Sequence, residues 1–169
     1  MNLSDFQTAA ERTMTDRDNI GRMQNAALGL CGEAAELAEI VDGVAPIRDE
    51  AGDILWYVAQ MCKAFDMSIA EIPPVGFVYD EDEAMPILFF YVGKVADTIK
   101  KLVYHKKPIN PVDLARNLQQ IVTAVASLLD TREDTLEDAC EYNNAKLLKR
   151  FPDGFSHEAA NARRDEAIQ

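Results

Sequence analysis

Four acidic residues lie symmetrically about one glycine, and this pattern constrains the fold more than any other feature of the chain. Glu36 and Glu50 each lie seven residues from Gly43. Glu33 and Asp53 each lie ten residues from it. Acids spaced i and i+3 share one face of a helix. The pattern predicts two antiparallel helices that meet near Gly43, with the inner acids roughly 10 Å above the turn and the outer acids one turn higher.

The acids are embedded in apolar sequence. Residues 26–32 lead into Glu33 without a charge, and residues 54–59 follow Asp53 without one. An E-x-x-E pair is ordinarily a solvated helix face, but acids in such runs should face the interior of a bundle, where an unpaired charge is very costly. Opposed carboxylates repel unless a cation lies between them, and hard divalent ions take oxygen ligands. We therefore predict a metal site with the ligands Glu33, Glu36, Glu50 and Asp53.

Length and charge limit the classes of protein and of partner. A chain of 169 residues, 48% of them hydrophobic, suits one domain with a sizeable core or two small repeats that share one. The net charge of −12 argues against nucleic acid or an anionic membrane as the main partner. The same charge repels a small anionic substrate unless metal ions reverse the local field.

Sequence signals for targeting are missing. No apolar run reaches membrane-spanning length, and the first six residues do not resemble a signal peptide. The three cysteines, Cys31, Cys62 and Cys140, are odd in number and show no C-x-x-C spacing. We expect reduced cysteines and a cytoplasmic protein.

Helical periodicity and capping residues predict an all-α chain, without convincing strand alternation anywhere. Ser4 with Gln7 predicts a capping-box start for the first helix, and Asn110 with Pro111 predicts a later helix start. The predicted helices are 4–13, 17–41, 46–66, 85–104, 111–129 and 135–150, with a one-turn element at 68–71. We predict one domain over 1–155, with a first hairpin at 17–66, a linker at 73–84, a second hairpin at 85–130 and a tail at 156–169.

The second hairpin resembles the first. Residues 93–97 resemble residues 32–36 at an offset of 61, and residues 115–118 resemble 51–54 at an offset of 64. We interpret this as an internal duplication that builds a four-helix bundle, although two amphipathic hairpins can also resemble each other by chance. The second hairpin would then form the opposite wall of a pocket. At the four acid positions it has Lys94, Asp97, Leu114 and Asn117.

The acid pattern resembles that of a known family. The chain has an E-x-x-E motif followed, after thirteen residues, by an E-x-x-D motif. This pattern is similar to the signature of the MazG-like all-α nucleoside triphosphate pyrophosphohydrolase superfamily. The resemblance is closest at 28–37 and 49–55, and it resumes at 143–155, which is similar to the ending N-x-x-K-L-x-x-R-[YF]-P-x-G-F of many members. A tandem arrangement with one degenerate half is similar to that of the dimeric dUTPase branch.

The resemblance implies an activity and a cofactor. Members cleave nucleoside triphosphates between the α and β phosphates, with Mg²⁺ held by the four acids, and Mn²⁺ is the expected substitute. Water would attack the α phosphorus in line, with Glu33 or Glu36 as the base. Many members carry a further acid where this chain has Gly32, which leaves both the number of metal ions and the choice of base open.

Further residues are candidates for substrate binding. Asn143 and Lys146 are expected to face the site, with Lys146 on phosphate. A basic helix end in solvent is the alternative for Lys146. Trp56 and Tyr57 follow Asp53, and an aromatic residue there is a candidate for stacking on the base, although core packing is its more common role. Asn25 is a candidate for contact with the base or sugar. Asp97 and Asn117 are candidates for reaching the pocket from the second hairpin.

Two other classes of protein are open to comparison. A di-iron bundle requires Glu-x-x-His on two helices, and no histidine lies at such a position. A non-catalytic nucleotide-binding or helical interaction module remains the alternative to an enzyme. The expected partner is a nucleoside triphosphate, with no nucleic acid and no membrane. An intrachain bundle removes one need for a homodimer without forbidding it.

Overall fold

The structure is a computed structural model that describes residues 1–14, 18–41, 43, 46–76 and 78–162. This part of the chain contains α-helices and one 3₁₀ turn, Ile69–Glu71, and no β-strand. The prediction of an all-α fold is confirmed. None of these helices is both long and apolar enough to cross a membrane. The helices are α1 Leu3–Glu11, α2 Asn19–Ile40, α3 Arg48–Ala64, α4 Glu81–His105, α5 Pro111–Asp130, α6 Leu136–Arg150 and α7 His157–Ala162.

Two helical hairpins form the centre of the bundle. Helix α2 packs on α3 and α4 packs on α5, and the hairpins join through contacts of α2 with α4 and of α3 with α5. Their shared core contains fully buried side chains such as Leu30, Leu37, Ile54, Leu118 and Val125. Helix α6 lies along the other side of α3, and α1 contacts both α3 and α6. The predicted helical bundle is therefore present, whereas the ancestral duplication stays a prediction.

The first helix does not start as predicted. Asn2 is its N-cap, and the Asn2 side chain accepts a hydrogen bond from the Asp5 amide at 2.9 Å. Gln7 cannot complete a capping box with Ser4 because its amide group is used elsewhere. It donates to the carbonyl of Met67 at 3.1 Å and accepts from the amide of Ile69 at 2.7 Å. The side chain thus ties α1 to the 3₁₀ turn.

Helix α4 begins a turn earlier than the sequence suggested. Asp80 caps it by accepting from the Glu83 amide at 2.9 Å, so Pro86 lies inside the helix rather than near its first residue. Three acidic residues, 81–83, occupy the first turn, where the positive end of the helix dipole stabilises them. The predicted start of α5 at Asn110 and Pro111 is confirmed.

The predicted polar linker, 73–84, gives way to α4 at Glu81, and its described residues before that helix, 73–76 and 78–80, lie along α5. Its backbone binds side chains four residues apart on one face of that helix. Such regular anchoring fixes how the second hairpin follows the first. The hydrogen bonds are Gln119 Nε2 to Pro73 O (2.9 Å), Val75 N to Thr123 Oγ1 (3.0 Å) and Tyr79 N to Ser127 Oγ (3.1 Å).

Candidate metal centre

Three of the four predicted ligands meet between α2 and α3. Glu33 on α2 and Glu50 and Asp53 on α3 each offer a carboxylate oxygen, and these oxygens all lie within 4.8 Å of one another. All three residues are half-buried. The antiparallel hairpin brings the three carboxylates together because each of these residues lies on the face of its helix that packs against the other helix. We call this set the acidic group.

Glu36, the fourth predicted ligand, is exposed and lies outside the acidic group. Its charge still acts on the others. Burial, together with the charges of Asp53, Glu36 and Glu50, raises the pKa of Glu33 to about 8. Burial also raises the pKa of Glu50 to about 7, helped by neighbouring carboxylates.

The electrostatics of the acidic group favour a bound cation. Ionising all of these closely spaced, buried carboxylates costs electrostatic free energy, because their negative charges repel each other. A divalent cation between them removes the repulsion. The donors are all oxygens, which suits Mg²⁺ or Mn²⁺ better than softer metals. In the described part of the chain, the wholly buried Oδ1 of Asn143 beside the group has no hydrogen-bond partner. Such an orphaned acceptor is typical of a place where water or an ion binds. The residues present therefore fit the metal.

Helix α6 supplies the two polar residues nearest to the acids. Lys146 Nζ lies 2.6 Å from Asp53 Oδ2 and also donates to Asp49 Oδ1. Asn143 Nδ2 donates to the other oxygen of Asp53. Asn143 is completely buried, so its contact with Asp53 makes it a residue that positions a carboxylate. Contact of either residue with a substrate stays a prediction.

A glycine lets α6 come this close. A Cβ at Gly52 would lie 2.7 Å from Asn143 Cβ and 2.8 Å from the carbonyl oxygen of Ala139. Any other residue at Gly52 would force α6 away from α3. Asp49, which sequence reasoning missed, enters the site through the same approach. Its only signal in the sequence is a spacing of one turn before Asp53.

Tyr57, which the sequence indicated only as one of two aromatic residues after Asp53, lies against α2 beside the acidic group. A Cβ at Gly29 would lie 2.2 Å from two ring carbons of Tyr57, so the ring lies flat on the glycine backbone. Burial, together with the charges of Glu33 and Asp53, raises the pKa of Tyr57 to about 12, so the phenol keeps its proton. The signal was available, because Tyr57 follows Asp53 by one turn and Gly29 precedes Glu33 by one turn.

Two other candidates on the first hairpin have partners of their own. The indole Nε1 of Trp56 donates to Thr13 Oγ1 at 2.9 Å, which directs the ring towards the end of α1. Asn25 Nδ2 donates to Gln60 Oε1 at 2.9 Å and so links α2 to α3. Both contacts serve packing between helices.

Among the described residues, no hydrogen bond or ion pair joins the candidates on the second hairpin to the acidic group. Asp97 pairs with Lys100 at 2.6 Å and with Lys101 on its own helix. Hydrogen bonds from these lysines lower the pKa of Asp97 to about 2. Asn117 is half-buried on α5. Helix α6, rather than the second hairpin, is the element whose side chains reach the acids.

No family model, curated protein or solved structure matches the chain. The resemblance to the MazG-like superfamily therefore rests on the motifs in the sequence. The geometry of the acidic group stands independently of that resemblance, because it follows from the hairpin and the burial of its acids.

Proposed function

We propose that this protein is a magnesium-dependent nucleoside triphosphate pyrophosphohydrolase. It would cleave the α–β phosphate bond of ribo- or deoxyribonucleoside triphosphates, giving a monophosphate and pyrophosphate, with nucleotide pool sanitation as the biological role. The observation that carries the proposal is the approach of Glu33, Glu50 and Asp53 to within 4.8 Å in a half-buried site. The motif resemblance around these acids supports the choice of substrate.

The protein's own charge makes a cation necessary for this chemistry. A chain of net charge −12 repels a triphosphate, and the acidic group concentrates negative charge at the site. Bound Mg²⁺ would neutralise phosphate charge and acidify the attacking water. The acidic group would hold the ion, with Asn143 fixing the orientation of Asp53.

The proton of the attacking water requires an acceptor that the ion does not use. Glu36 suits this role better than Glu33, because it lies outside the acidic group and is exposed one turn away. Lys146, whose ammonium group lies 2.6 Å from Asp53, would contact a phosphate oxygen. Tyr57 keeps its proton and can donate a hydrogen bond at the same end of the site.

The test is a panel of canonical and modified nucleotides incubated with Mg²⁺, with the products identified by chromatography. We expect monophosphate and pyrophosphate from at least one nucleotide. Glu50→Gln keeps the side-chain shape but removes one ligand charge, and we expect it to lower kcat at least about 100-fold. Glu39→Gln, an exposed change on α2, is the matched control and should leave turnover unchanged.

Each other outcome contradicts a different part of the proposal. Turnover that Glu50→Gln leaves intact would exclude the site. Orthophosphate and nucleoside diphosphate as products would exclude the chemistry. Thermal stabilisation by nucleotides without any turnover would favour the non-catalytic binding module instead.

A further inference from the structure

Lys146 is a cation held inside the candidate site. Its side chain is 13% exposed, and its ammonium group binds two carboxylates, Asp53 at 2.6 Å and Asp49. Lysine is almost never buried to this degree unless it is paired. The pair therefore gives the site one positive charge of its own, next to the oxygens that would hold a metal ion.

Asp53 belongs both to the acidic group and to the lysine pair. One of its oxygens accepts from Lys146 and the other accepts from Asn143. A carboxylate can share its lone pairs between two partners, but an ammonium group and a divalent ion on the same carboxylate repel each other. Entry of a metal ion thus weakens the hold of Asp53 on Lys146.

Packing against α3 fixes the backbone of α6, whereas the stem of a lysine side chain is flexible. The contact of Gly52 with Asn143 and with the carbonyl of Ala139 sets the distance between α6 and α3. The four-carbon stem of Lys146 can still rotate without moving the helix, and its compact ammonium group accepts any oxygen partner. A triphosphate at the acidic group would offer such an oxygen.

We propose that Lys146 is an internal counter-ion that exchanges partners when substrate binds. It holds Asp49 and Asp53 in the empty site and passes to a phosphate oxygen when metal and triphosphate enter together. Metal alone then binds weakly because it must compete with the lysine, and metal and nucleotide strengthen each other's binding by the same factor. The inference rests on the proposed function and adds an order of binding to it.

The first test measures Mn²⁺ binding to the full chain by electron paramagnetic resonance of the free ion. Without nucleotide, we expect Lys146→Met to bind Mn²⁺ about tenfold more tightly than the wild type. Lys149→Met removes the same charge from an exposed position of α6 and should bind within about twofold of the wild type. A mixture of α,β-imido analogues of the four common deoxynucleoside triphosphates should raise Mn²⁺ affinity more in the wild type than in Lys146→Met.

A second measurement needs no stable variant at position 146. The ammonium signals of ¹⁵N-labelled lysine side chains report a paired lysine in the wild-type protein. We expect Mg²⁺ together with the imido analogues to shift one protected signal that lies outside the exposed-lysine envelope. A signal that stays in place at saturating metal and nucleotide would overturn the exchange.

The outcomes separate this inference from the proposed function. Wild-type turnover with equal Mn²⁺ affinity in wild type and Lys146→Met would overturn the counter-ion role and leave the function standing. Tighter Mn²⁺ binding by Lys146→Met in a protein that hydrolyses no nucleotide would keep the competition and exclude the enzyme. Absence of Mn²⁺ binding to the wild type both without and with the imido analogues would overturn both.

Discussion

Two glycines on α2 lie three residues apart and have opposite surroundings. A Cβ at Gly29 would lie 2.2 Å from the ring of Tyr57, whereas a Cβ at Gly32 would meet no atom within 4 Å. The first glycine therefore makes room for a ring beside the acidic group. The second has no steric role within the described protein.

This contrast gives a matched pair of substitutions. Gly29→Ala should lower the free energy of unfolding by about 1–3 kcal/mol, because the Tyr57 ring must move, and should lower kcat/KM for the same reason. Gly32→Ala should raise the free energy of unfolding by about 0.5–1 kcal/mol, because alanine suits a helix better than glycine does. Urea denaturation of both variants checks the signs. Equal stability of the two would contradict the position of the ring.

For single residues, the sequence predicted those members of the site whose position depends only on their spacing along the chain. Glu33, Glu50 and Asp53 could be identified because a hairpin and an apolar context suffice to bring them together. Asp49 could not, because its role depends on how closely α6 approaches, and that distance is set by the missing side chain of Gly52. Trp56 has a partner just after α1, Thr13, that no motif indicates.

The connection between α5 and α6, residues 131–135, binds both helix ends that flank the turn of the first hairpin. Arg132 donates to the carbonyl of Val41 at the end of α2 and to Glu81 at the start of α4, at 2.9 Å. Asp134 pairs with Arg48 at the start of α3, at 2.8 Å, and its side chain is only 10% exposed. The two ends of the turn that sets the register of the acids are therefore held from one short segment.

Arg132→Met should show how much this fastening contributes. The change removes hydrogen bonds to a helix end and to a carboxylate, and we expect the free energy of unfolding to fall by about 1.5–3 kcal/mol. Arg116→Met is the control, because its ion pair with Asp113 is exposed and should contribute less than about 0.5 kcal/mol. Chemical denaturation compares the two, and an equal effect would show that Arg132 does not fasten the turn.

For secondary-structure elements, the sequence predicted which helices are present more reliably than it predicted the residues at which they begin. Apolar periodicity marks the long helices whatever they pack against. The start of α1 depends on Gln7, whose side chain binds a distant 3₁₀ turn instead of capping its own helix. The start of α4 depends on Asp80 and the acidic turn after it, residues that their polar composition had placed in the predicted linker.

For the whole molecule, the acidic group links stability to pH. Because burial raises the pKa of Glu33 to about 8 and of Glu50 to about 7, the folded protein keeps protons that the unfolded chain releases near pH 4.5. The free energy of unfolding without metal should therefore fall as the pH rises from about 5 to 8. Mg²⁺ should restore it at the upper end, where its ligands are charged.

Thermal melting in EDTA and in Mg²⁺ across this pH range checks the expectation. The side chain in Glu33→Gln has no proton to lose. Between pH 5 and pH 8 its melting temperature should therefore fall by about 3–6 °C less than that of the wild type. Glu39→Gln carries the same charge change at an exposed position and should follow the wild type. Parallel curves for wild type and Glu33→Gln would mean that the acids are not coupled to folding.

The bundle as a whole was predictable, but its arrangement around the site was not. Two apolar hairpins have few ways to bury their faces other than against each other. Which further helix covers the acids depends on close packing, and here it is α6, through Gly52 and Asn143. The sequence pattern suggested the second hairpin because periodicity shows that a face is buried without showing what buries it.

The hydrogen bonds along α5 change the meaning of the segment between the hairpins. Val75 and Tyr79 bind hydroxyl groups of Thr123 and Ser127, one helical turn apart. An added residue between those amides would bring only one of them to its hydroxyl at a time. The join is therefore a spacer of fixed length, and a fusion of the two halves keeps both hydrogen bonds only if it keeps the number of residues between Val75 and Tyr79.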